Sequence, residues 1–143
     1  MTYALQIDLE RHASVEALIS LTDRDQPPAG VVNVATIADA LGKATAMVDS
    51  YLRGRYALPV NPVPAEINLY TTHIAYYLLH GNASVYPDAV KADYENAIAR
   101  LRELANGITM LSAAVAAASD AVSSGAQYSG DDRKFTRTNM VDF

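Results

Sequence analysis

The chain has 143 residues, of which 50% are hydrophobic and 19% charged, with no cysteine and a formal charge of −5. That length supports one modest core burying roughly two-thirds of the unfolded surface, and the missing cysteines exclude disulfides, thiolate zinc sites and cysteine nucleophiles together, as suits synthesis in a reducing cytoplasm. The acidic balance argues against direct DNA binding, because that binding draws its affinity from Lys and Arg clustered on phosphates and the basic residues here are scattered.

Met1 to Glu10 carries Asp8 and Glu10, the wrong charge and pattern for an export signal. Between Asp8 and Leu21, Leu9, Val15, Leu18 and Ile19 recur at loosely helical spacing, and Ser14 ahead of Glu16 and Ala17 can cap, so one or two short helices are expected. Thr22 to Gly30 joins turn formers to Pro27 and Pro28 and reads as a loop. Asn33 then offers a capping side chain. From Val34, the positions Ile37, Ala38, Leu41, Thr45, Val48, Tyr51 and Leu52 lay an apolar stripe along a long helix. Asp49 and Arg53 stand four apart with the acid first, the favourable order for an exposed pair. Gly54 marks the fraying end.

Pro59, Pro62 and Pro64 interrupt any helix, and Pro64 suits the first position of the next one, where a missing N–H costs nothing. That second long helix is expected to run to His80 with Gly81 as its stop. Ile67, Tyr70, Ile74, Tyr77 and Leu78 form one face, while Leu69, Tyr76 and Leu79 place apolar surface elsewhere, so the helix is enclosed or shared. Tyr86-Pro87-Asp88 opens a third long helix striped by Val90, Tyr94, Ala97, Ile98, Leu101 and Ala105, and Asn106-Gly107 supplies a left-handed cap. The fold class expected is all-α: a small bundle of three long helices plus short N-terminal helices, over residues 1–107.

Residues 108–143 read as an extended C-terminal arm. Ile108 to Val122 falls short of the ~20 apolar residues a membrane span requires. Ser123 to Gly130 is linker-like and delivers a tail with Phe135, Arg137, Met140 and Phe143 at intervals, the pattern of a docking segment that orders on binding.

The search for chemistry finds little. His73 and His80 lie seven apart on one helix, but zinc wants three or four protein ligands and His12 belongs to another segment, so no metal or cofactor is expected. Ser20, His73 and Asp49 make a triad only on paper, since no nucleophile-elbow sequence is present, and no Gly-rich loop is available for phosphate. No catalytic residue is assigned. The nine tyrosines say more. Tyr51, Tyr56, Tyr70, Tyr76 and Tyr77 fall around the junction of the first two long helices; tyrosine on a helical stripe is more often core than interface, and an outward-facing cluster would mark a contact surface.

The run Tyr51-Leu52-Arg53-Gly54-Arg55-Tyr56-Ala57-Leu58-Pro59, followed by Pro64 and by Ile74-Ala75-Tyr76-Tyr77-Leu78-Leu79-His80, resembles the signature of the Mu-like phage neck family of head–tail adaptors. Tyr3 with Asp8-Leu9, Leu21-Thr22-Asp23, Tyr94 with Ala97-Ile98 and Leu101 before Gly107, and Arg133 with Phe135-Thr136-Arg137, Met140 and Phe143 follow in the family's order. Only the Ala/Ser-rich stretch from Ala113 to Ala126 matches no fixed pattern. The resemblance implies a structural head–tail connector with no reaction and no cofactor. It implies a homo-oligomeric ring of twelve copies on the portal protein, meeting other neck or tail-completion proteins and passing genomic DNA without sequence-specific binding. Its place would be the virion neck, assembled in the bacterial host cytoplasm, with no membrane involved.

On that reading, Tyr51, Arg53, Arg55, Tyr56, Tyr76 and Tyr77 are interface residues, and Phe135, Arg137, Met140 and Phe143 dock on the portal or a neighbouring copy. Arg55 is the charged anchor, against a local role in which it answers the free carbonyls and dipole at a helix C-terminus. Two alternatives stand beside the adaptor. One is a small helical ligand-binding or enzymatic module with His73, His80 and tyrosines lining a pocket; the other is a regulatory protein that dimerises through the Tyr-rich face.

Overall fold

The computed structural model describes residues 1–23, 29–81 and 87–111, and among them it has five helices and no strand. The protein is all-α, as its periodicities require. The linker, the tail and its Phe135, Arg137, Met140 and Phe143 lie outside the described residues.

Two short helices come first. In α1 (Gln6–His12) the Asp8 carboxylate accepts from the Leu5 amide at 2.8 Å, answering one of the free N–H groups at that end. In α2 (Val15–Thr22) Ser14 caps as expected, its hydroxyl accepting from Ala17 N at 3.2 Å. The buried Thr22 hydroxyl donates to Leu18 O at 2.8 Å and accepts from Asn33 N at 3.1 Å, which ties the end of α2 to the start of the next helix.

The long helix α3 (Val34–Leu52) opens on Asn33, whose side chain accepts from Thr36 N at 3.1 Å. Its buried stripe is Ile37, Ala40, Leu41, Ala44, Thr45, Val48 and Leu52. Ala38, counted on that stripe from spacing, is exposed, and Ala40 and Ala44 take the inner positions, where a small side chain lets neighbouring helices approach. Helix α4 (Ala65–Leu79) has Pro64 as its cap, one position outside the helix, and ends one residue short of His80, which caps it. The third long helix, α5 (Asp88–Asn106), ends on Gly107 at φ +73°. There Ile108 N donates to Glu103 O at 2.9 Å and Gly107 N to Leu104 O at 3.1 Å, the paired bonds of a Schellman cap. The inner face near this end uses Leu104, with Ala105 only half-buried, because the helix turns slightly away from the stripe read by spacing.

Helices α3, α4 and α5 pack on one another, and α1 lies against α3 and α4. The shared core joins Leu9, Leu18, Ile37, Val48, Leu52, Ile67, Ile74, Ala97, Ile98 and Leu101. Helix α4 has neighbours on several sides, as its broad apolar surface predicts, although Leu69 faces outward at 48% exposure. Beyond Gly107 the chain still packs on the bundle: Leu111 is buried, and its amide donates to the Tyr56 hydroxyl at 3.1 Å.

Tyr3 is the knot of the N-terminal half, with its side chain only 2% exposed. Its amide donates to Thr45 Oγ1 at 3.3 Å in α3, and its carbonyl accepts from Asn68 Nδ2 at 3.1 Å in α4. Its hydroxyl donates to the Asp49 carboxylate and accepts from Val60 N at 3.0 Å, within the proline-rich connection. One residue thereby holds four segments that are far apart in sequence. Burial and the hydrogen bond to Asp49 push the phenol up to about 12.

Candidate functional site

The tyrosines expected at the junction of the first two long helices are half-buried and each is engaged within the bundle, so they form no single outward cluster. Tyr77 stacks on Tyr94 of α5, with ring centroids 4.1 Å apart and planes 16° apart. Burial pushes the Tyr94 phenol up, and the nearby Tyr77 and Tyr51 hydroxyls add to it, so these three rings share one neighbourhood across α3, α4 and α5. Tyr70, also pushed up by burial and then by Glu66, sits farther along α4. Tyr56 pins Leu111 through its hydroxyl. Tyr76 points to another side, edge-on to His12 at 5.2 Å and to His80 at 4.7 Å.

Arg55 follows α3, and its guanidinium lies against Gly107, the cap of α5, where a Cβ would come within 2.6 Å of Nη2. The local reading of Arg55 as a cation at a helix C-terminus therefore holds for a different helix end, 52 positions on from it in the chain and brought there by the bundle. Arg53, the cap of α3, is exposed. Its expected partner Asp49 is taken by Tyr3, and the exposed helical ion pairs among the described residues are Lys43–Asp39, Lys91–Glu95 and Arg100–Glu103.

The histidines are arranged differently from what their spacing suggests. His80 does not join His73; its Nδ1 lies 2.9 Å from Tyr76 O, four residues back on its own helix. His73 instead faces His12 of α1, with ring centroids 4.8 Å apart and planes inclined by 37°. Asp93 of α5 completes a group in which one ligand atom from each residue lies within 4.8 Å of the others. Burial lowers the His12 pKa and the neighbouring His73 lowers it further, while Asp93 opposes both. The reasoning from spacing missed this group because its members come from three helices. The paper triad does not assemble: Ser20 Oγ donates to Ala17 O at 2.8 Å, and Asp49 serves Tyr3.

Two open grooves flank these features. One, between α1 and α4, is lined by Asp8, Arg11, His12, Asn68, Leu69 and Thr72. The other is apolar and runs between the N-terminal segment and α3, past Leu5, Val34, Ile37 and Leu41. Around it Met1, Leu5, Val31 and Val34 are exposed, an apolar patch of the kind that serves contact between proteins. Neither groove gathers His73, His80 and the tyrosines into the enclosed pocket that an enzyme or ligand-binding module would need.

Over residues 3–129 the sequence matches the family model described as Bacteriophage Mu, Gp36. It is 38% identical over 85 residues to the Mu-like prophage FluMu protein gp36 of Haemophilus influenzae strain Rd, an alignment covering 59% of this chain and 59% of that relative.

Proposed function

The chain belongs to the bacteriophage Mu Gp36 family and is a phage structural or assembly protein; from that premise we propose that it is a non-catalytic neck adaptor. In this reading it assembles as a ring of twelve copies on the portal protein, joins the head to the tail, and meets other neck or tail-completion proteins below. It works in the virion neck, after assembly in the host cytoplasm. The observation that carries the reading is the family match, which runs through nearly the whole chain, over residues 3–129.

The physical properties of the chain support it. Copies related by a cyclic axis meet through two different surfaces, and a rigid wedge serves such a ring better than a pliable one. Rigidity comes from long-range ties at both ends of the bundle, at Tyr3 and at Arg55. The apolar patch at Met1, Leu5, Val31 and Val34 and the outer edges of Tyr51, Arg53, Tyr56, Tyr76 and Tyr77 offer contact surface, and Phe135, Arg137, Met140 and Phe143 serve as the docking tail. A formal charge of −5 favours a channel through which DNA slides without being held. No helix among the described residues is long and apolar enough to cross a membrane.

Light scattering behind size exclusion, on the purified protein alone and mixed with portal assemblies, tests the proposal. Portal-dependent incorporation of many copies is expected. A mass unchanged by portal would overturn it, and a stable dimer unaffected by portal would favour the regulatory alternative.

A further inference from the structure

We propose that His12, His73 and Asp93 form a binding site for one divalent zinc-like metal ion per chain, clipping α1 onto α4 and α5. The three residues are 61 and 20 positions apart in sequence and meet only because the bundle brings three helices to one point. Two imidazole nitrogens and one carboxylate oxygen are the donor set that Zn²⁺ and its neighbours take, and three protein ligands leave a fourth position for water.

The geometry is near what the ion needs. Zinc bonds of ~2.0–2.1 Å to nitrogen put tetrahedral ligands about 3.4 Å apart. The ligand atoms here already lie within 4.8 Å of one another, so rotation about side-chain bonds closes the gap without moving a helix. His12 is exposed and free to make that rotation, while His73 and Asp93 are half-buried and form a firmer base. The near-parallel approach of the His12 and His73 rings directs both toward the same space. Beside them, the groove past Asp8, Arg11 and Asn68 gives the ion a path from solvent.

The consequence falls on α1. A helix of seven residues has too few hydrogen bonds to stand alone. It is held by Leu9 in the core and by Asn68, whose side chain donates to Asp8 at 3.0 Å. A metal bridge from His12 to α4 and α5 adds a third tie at the helix's C-terminal end, and a ligand that binds only the folded chain raises its stability by mass action.

The test uses tag-free, full-length protein stripped of metal, titrated with Zn²⁺ alone by calorimetry and with Co²⁺ followed by its absorption spectrum. One Zn²⁺ per chain, a tetrahedral Co²⁺ spectrum and a higher melting midpoint with Zn²⁺ are expected. His12→Gln, on an exposed side chain that leaves the core intact, and Asp93→Asn should each weaken binding by at least roughly tenfold and abolish the rise in midpoint, while His80→Gln leaves both unchanged. Equal zinc binding by the parent and the His12→Gln and Asp93→Asn proteins, or no binding at excess zinc, would overturn the proposal. Loss of binding in His80→Gln alone would also overturn it, by placing the site at Tyr76 and His80 instead.

Discussion

The guanidinium of Arg55 rests against Gly107, so the turn that ends α3 closes over the C-terminal cap of α5. Three demands meet at this point. Gly107 must hold φ +73° to complete the Schellman cap, it must lack a Cβ because Arg55 occupies that space, and the cation complements the negative end of the α5 dipole.

Gly107→Ala should therefore destabilise the bundle by more than the ~1–2 kcal/mol that a left-handed alanine costs, because Arg55 must also move. Arg55→Ala alone should cost about 0.3–1 kcal/mol, the usual worth of a cation at a helix C-terminus. The double variant relieves the overlap but keeps the strained backbone, so its loss should be smaller than the sum of the two single losses. Urea denaturation of the four proteins measures this. Strict additivity would show that the two residues do not touch in solution.

Tyr3→Phe deletes one hydroxyl and leaves the buried Val60 amide without its acceptor and Asp49 without its donor. The expected loss is ~1–3 kcal/mol, the cost of stranding a buried polar group, with the helical content retained at 25 °C. The pH dependence follows in sign. The phenol's pKa is raised from 10.0 to about 12 in the folded chain, so its contribution is complete below pH 10.0 and is lost as pH rises toward about 12. Denaturant midpoints across that window should fall more steeply in the parent protein than in Tyr3→Phe, and matching slopes would remove Tyr3 as the cause.

Truncation after Gly130 removes Phe135, Arg137, Met140 and Phe143 and leaves the bundle's core residues in place. Circular dichroism should show the helical signal and melting midpoint kept, while co-sedimentation with portal assemblies is lost. A truncated chain that melts early would mean that the tail is part of the bundle, and one that still binds portal would move the docking surface onto the helices.

The helices themselves were legible because their signals are local. Ser14, Asn33 and Gly107 act on hydrogen bonds within five residues, so the side chain and the group it satisfies sit in the same short window of sequence. The apolar stripe of α3 was legible for the same reason, save that spacing cannot choose between Ala38 and Ala40 when both are small and apolar. The Mu family was legible too, through the run from Tyr51 to Pro59 and the ordered matches around it.

Tertiary structure alone decided the long-range pairs. Tyr3 entered the sequence reading only as one residue of a family pattern, yet it binds Thr45, Asp49, Val60 and Asn68. Asp49 looked destined for Arg53, and a buried phenol took it instead, because a hydrogen bond shielded from water outweighs an exposed ion pair worth a few tenths of a kcal/mol. His73 looked like the partner of His80 along one helix and found His12 and Asp93 on two others. What sequence by itself determined about this protein is its helices, their ends and its family; which side chains meet across helices depended on how the bundle packs, since no periodicity within one helix encodes the rotation of its neighbour.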